Sequence, residues 1–135
     1  MTIKVPSAGE IAVLKDALGK TSPGALTLKL FVNDVVPGDA DTAATYTEMS
    51  TLGYASKSLA TATWAVAANG AVAQGTYTAQ TWTFTAGSAV IIYGYYVVGA
   101  DAIIRWAERF DAPFSAQYTN DTVTITPQFT FGSAA

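Results

Sequence analysis

Few residues of this 135-residue chain can do chemistry, because it contains no histidine and no cysteine. That removes the usual general base near neutral pH, thiolate nucleophiles, disulfides and the commonest zinc ligands. Glu48, Asp101, Glu108 and Asp111 are the candidates for paired acid and base work, but no spacing among them brings two together as a hydrolase requires. Asp34, Asp39 and Asp41 could gather as hard oxygen ligands, yet they lack the order and the closing glutamate of a calcium loop and read as turn residues. Gly19-Lys20-Thr21 looks like the end of a phosphate-cradling loop, but Leu14 stands where the first glycine belongs and a helix precedes it instead of a strand. Asn120-Asp121-Thr122 matches a glycosylation acceptor and is more simply a hairpin turn. The expectation is a chain that is not an enzyme, with no catalytic residue, metal or cofactor.

Charge narrows the partners. Ten acids against seven bases give a net charge of −3, the wrong sign for binding a nucleic-acid backbone. Near the start, Glu10, Lys15 and Asp16 interrupt the apolar residues a signal peptide would need, so the chain is expected to stay where it is made. The most apolar stretch, Ala89 to Ala100, is about a dozen residues where a spanning helix needs roughly 20, so it reads as a buried strand and no membrane partner is expected. Protein contact is the chemistry left.

Contact candidates lie in two aromatic stretches. Ile91, Tyr93, Tyr95 and Val97 fall on one face of a strand, Ile92, Gly94, Tyr96 and Val98 on the other, and neither face is polar. Such a strand must be covered twice, and its aromatic content favours a subunit or partner as the second cover. In Arg105-Trp106-Ala107-Glu108-Arg109-Phe110, alternation puts both arginines on one face with Trp106, Glu108 and Phe110 opposite, a mixed stripe suited to a protein interface. Tyr93, Tyr95, Arg105, Trp106 and Arg109 are therefore assigned to subunit or partner contact.

These residues need elements to hold them. Ser7-Ala8-Gly9-Glu10 matches a capping box, and Ile11, Leu14 and Leu18 recur at helical spacing until Gly19 and Pro23. This predicts a short amphipathic helix within an arm spanning 1–25, its apolar stripe docking on the body or on a larger assembly. From Leu26 the period changes to two, opening a single β domain over 26–135. The segment to Gly53 is polar and reads as loop with a short strand near Tyr46. Strands are predicted over 59–67, 75–85 and 88–98 as a meander of hairpins turning at Asn69-Gly70 and Ala86-Gly87, then over 101–110, ended by Ala112-Pro113. A last strand covers 122–126, with Pro127 marking an edge or a frayed end. No charge interrupts Ser58 to Ala100. The fold class is mainly β, an antiparallel sandwich or barrel, with a jelly roll among its forms, preceded by one short helix.

A pattern emerges from Leu28-Lys29-Leu30-Phe31-Val32-Asn33-Asp34, Thr45-Tyr46-Thr47-Glu48 with Gly53-Tyr54, Thr81-Trp82-Thr83-Phe84, Ile92-Tyr93-Gly94-Tyr95-Tyr96 and Trp106-Ala107-Glu108-Arg109-Phe110, closing on Asp121-Thr122-Val123-Thr124-Ile125-Thr126-Pro127. Over residues 26–128 it resembles the small virion proteins of tailed bacteriophages, in particular the capsid decoration or cement class. The resemblance implies a β-rich structural protein, made in the host cytoplasm, that associates as a homotrimer and binds the major capsid protein on the capsid exterior. The alternative is a tail or fibre module whose exposed aromatics stack on a bacterial surface glycan.

Overall fold

Helix α1 (Ser7–Ala17) begins one residue earlier than a capping box allows, because Pro6, in extended backbone, takes the cap and no side chain closes it. Ser7 is helical instead, and its N–H donates to the Asp39 carbonyl at 2.9 Å, so a loop carbonyl does the work expected of the serine–glutamate exchange. The far end matches expectation. Gly19, at φ +68°, donates to the Asp16 carbonyl and Lys20 to the Lys15 carbonyl, a Schellman closure that accounts for Gly19-Lys20-Thr21 without a phosphate.

The structure, a computed structural model, describes residues 3–132; positions 1–2 and 133–135, the outer ends of the expected arm and body, lie outside the described residues. It is mainly β, with the strands β1 (Ile3–Lys4), β2 (Leu26–Phe31), β3 (Lys57–Leu59), β4 (Ala65–Asn69), β5 (Val72–Thr76), β6 (Gln80–Thr83), β7 (Val90–Val98), β8 (Ile104–Ala116), β9 (Thr122–Ile125) and β10 (Gln128–Phe131). A five-stranded sheet runs β1-β8-β7-β2-β3, a second runs β10-β5-β4, and β6 pairs with β9; every pairing is antiparallel. The first residues are joined to the body, since Ile3 and Lys4 pair with Glu108 and Ala107.

The expected meander survives only at β4–β5 and β7–β8. The run 59–67 is broken by a 3₁₀ turn at Thr61–Thr63, and the run 75–85 divides at Tyr77 because its halves serve different sheets. β9 and β10 divide in the same way at Pro127, and the Tyr77 N–H donates to the Pro127 carbonyl at 2.9 Å. Two neighbouring strands thus turn one corner together, which gives sandwich-like packing of the sheets. Near Tyr46 the expected short strand is reduced to one antiparallel bridge, Phe31↔Glu48, preceded by a 3₁₀ turn at Ala43–Thr45. Pro113 does not end β8. Register passes from Ile92↔Phe114 to Gly94↔Arg109, so Phe110 to Pro113 bulge out opposite Tyr93, and a proline there removes no ladder bond.

That bulge also reverses the alternation of β7. Ile92, Tyr95 and Val97 belong to the main core with Leu28, Leu30, Trp82, Phe84 and Trp106, whereas Tyr96 and Val98 share a second core with Phe31, Tyr46, Ile104 and Ala107. The β6–β9 ribbon covers the first face and the polar loop around Tyr46 covers the second. Tyr46 stacks on Tyr96 at 5.1 Å between ring centres and tilts against Phe31 at 4.9 Å. Both faces of the doubly apolar strand are therefore closed by the chain itself.

Candidate interaction surfaces

This closure corrects the contact assignment for Tyr95, Arg105 and Trp106, which are 3%, 2% and 4% exposed. Tyr95 fails as a surface anchor because its ring sits in the main core and its hydroxyl donates to the buried Glu108 carboxylate. Burial first, and then that hydrogen bond, push its phenol well above the ordinary range. Trp106 packs at 5.0 Å on Phe129 and at 6.3 Å on Trp64. A second register shift, between Val97 and Val98, falls at Arg105 and breaks the simple two-face reading of the arginines. Arg105 Nη1 and Nη2 donate to the two oxygens of Asp101 at 3.1 and 3.0 Å, and Nη1 donates to the Ile103 carbonyl at 2.8 Å. Asp16 on α1 lies 3.4 Å from Nη2. The Asp101 carboxyl is held below its usual range, chiefly by the hydrogen bonds from Arg105.

Tyr93 and Arg109 stay half-buried. The guanidinium lies 5.1 Å from the centre of the Tyr93 ring, pairs with Asp34 at 2.6 Å and donates to the Val35 carbonyl at 3.0 Å. Together these contacts fasten the loop over the second core. Three of the carboxylates considered for acid–base work are separately engaged. Glu48 binds Lys29 at 2.9 Å and accepts from Tyr54 at 3.0 Å, Glu108 accepts from Tyr95, and Asp101 holds Arg105. Among the described residues no cluster of three metal-ligating side chains occurs, and no helix is long and apolar enough to cross a membrane. The Asn120-Asp121-Thr122 segment is a turn in which Asp121 accepts the N–H groups of Gln117 and Tyr118, both at 2.8 Å.

The helix presents the opposite face from the one its pattern suggests. Gly9 and Ala12 are its buried residues. A Cβ on Gly9 would stand 2.7 Å from the Arg105 carbonyl oxygen and 2.8 Å from that of Ile104, so only glycine lets α1 approach β8 this closely. At 100° per residue, Ile11, Leu14 and Leu18 lie on the far side of the helix from this contact, and they are 56%, 60% and 66% exposed. They do not dock on the body.

Comparison with known protein families, characterised proteins and solved structures gives no match. The surface must speak for itself.

Its second open region is a cleft of about 410 Å³ between α1, β8 and the β10-β5-β4 sheet. Trp64, Trp106, Phe129 and Val66 line it, with Arg105 and Asp16 at its polar side. Sequence reasoning expected the hairpin of β4 and β5 but missed Asp16 and Trp64 as neighbours of this cleft. Arg105 was the available signal, since a buried guanidinium needs carboxylate partners; the identity of the second partner depended on how α1 packs.

Proposed function

We propose that this chain is a non-enzymatic structural protein of a phage particle, which decorates the capsid as an oligomer by binding the major capsid protein. The observation that carries the reading is the outward stripe of α1. Three large aliphatic side chains, two on one short helix and one on its C-cap residue, each more than half exposed, form an apolar surface that a partner would cover. The resemblance of residues 26–128 to capsid decoration proteins supplies the kind of partner. Repetition of the chain over a shell would turn modest single contacts into firm attachment. Tyr95, Arg105 and Trp106 have no part in this docking, whereas Ile11, Leu14 and Leu18 are its centre.

Co-sedimentation of the purified chain with purified capsid shells tests the reading. The native chain is expected to pellet with the shells, and a variant carrying Ile11→Ser, Leu14→Ser and Leu18→Ser to remain in solution while keeping its fold. Equal pelleting of the two, or none by either, would overturn it. Particles that assemble without the chain but fail to adsorb to cells would favour the glycan-binding alternative.

A further inference from the structure

We propose that the outer edge of β4 and the cleft beside it take an extended, uncharged segment of a partner protein by strand addition, with one large apolar side chain of that segment entering the cleft. Sheet edges are usually guarded by shortness, lysine, proline or a bulge. β1 has two residues including Lys4, β3 has three including Lys57, and β10 follows Pro127. β4 has none of these protections. Its residues Ala65-Val66-Ala67-Ala68-Asn69 are uncharged, exposed at every position, and paired with β5 in unbroken register from Ala65↔Thr76 to Asn69↔Val72.

The turn through Gly70 and Ala71 fixes which groups are free. Closing on Asn69↔Val72, it makes Asn69, Ala67 and Ala65 the residues bonded to β5, so Val66 and Ala68 direct N–H and C=O outward. Val66 also lines the cleft, so a strand laid along β4 would set alternate side chains over the opening. The cleft volume lies within the range of ligand sites. Its cation, Arg105, is already matched by Asp16 and Asp101, and its Nε has no partner. A backbone carbonyl suits that wall better than a carboxylate does. Pairing of β4 with a second copy would join only five residues a side, short of the roughly 800 Å² per partner of a standard interface. The occupant is therefore a segment of another protein, whichever particle or assembly it comes from.

The test titrates the full chain against an end-blocked, fluorescein-labelled peptide, Ser-Val-Thr-Phe-Thr-Val-Ser, by fluorescence anisotropy. Ala68→Pro removes one outward N–H without touching the β5 ladder. Gly75→Leu fills the cleft, where a Cβ would sit 3.7 Å from the Trp64 ring. Each is expected to weaken binding about ten-fold or more, while Ala68→Val, which keeps the N–H, leaves it unchanged. On the native chain, aspartate in place of the peptide phenylalanine is expected to abolish binding, a result that needs no variant to fold. The proposal is overturned by absent binding to the native chain, by equal binding of the aspartate peptide, by indifference to Ala68→Pro in a folded variant, or by self-association through β4. Peptide binding retained in a chain that ignores capsids would break the capsid reading alone.

Discussion

The centre of the five-stranded sheet and the rim formed by α1 and β4 both carry runs of apolar side chains, yet they end in opposite situations. In β7 and β8, each apolar face has a cover supplied by the same chain, and the polar atoms brought inside are largely tied: Tyr95 to Glu108, Arg105 to Asp101 and Asp16. On the rim, Ile11, Leu14, Leu18 and Val66 face outward with comparable hydrophobicity and no cover. An aromatic strand is thus a poor guide to a contact surface. What decides is which side of an element the backbone can approach closely, and at α1 that is the side holding Gly9 and Ala12.

The contrast breaks first at Gly94. A Cβ there would collide with the Glu108 carbonyl oxygen and stand 2.7 Å from the Phe31 ring. Gly94→Ala is expected to cost about 3 kcal/mol or more, or to prevent folding, as read from urea unfolding. Alkali is the next lever. Burial raises the phenols of Tyr46, Tyr54, Tyr95 and Tyr96, the last to about 12 from 10.0. Above pH 10 the unfolded chain loses phenolic protons that the folded chain keeps, so stability should be full below pH 10 and fall as pH rises toward 12. Ultraviolet titration should show these four phenols ionising together with unfolding; smooth ionisation of all tyrosines in a folded chain would contradict their burial.

How much of this was legible in the sequence follows from the period-two runs. Those at Leu26–Phe31 and Thr122–Ile125 marked strands correctly, because half-buried strands must alternate, and the unbroken apolar run at Val90–Val98 marked a strand covered on both faces. The bulges opposite Tyr93 and at Arg105 were hidden, since residues inserted into a strand leave composition and apparent period intact while exchanging the faces. The corner at Tyr77 and Pro127 depends on strands distant in sequence, which no local pattern encodes. The apolar positions of α1 were visible, but the face chosen for packing was not.

Smaller effects sharpen the contrast. Asp101→Asn should cost about 1–2 kcal/mol near neutral pH, less than the loss of a fully buried partner because the Asp101 side chain is 38% exposed. The Asp101 carboxyl is depressed, so its contribution is present above the ordinary value of 3.8 and is lost as pH falls through the lower folded value; the difference between native chain and variant should close in acid. At the rim, Leu14→Ser should move the unfolding midpoint least, by no more than about 0.5 kcal/mol in stability, because Leu14 leaves no partner behind.

The most direct measurement is hydroxyl-radical footprinting of the free chain, which reads side-chain exposure residue by residue. Heavy labelling at Ile11, Leu14, Leu18 and Phe131, with Tyr95, Tyr96 and Trp106 almost untouched, is the expected result. Strong labelling of Tyr95 and Trp106, or protection of the α1 stripe in the isolated chain, would contradict the assignment of the contact surface to the rim.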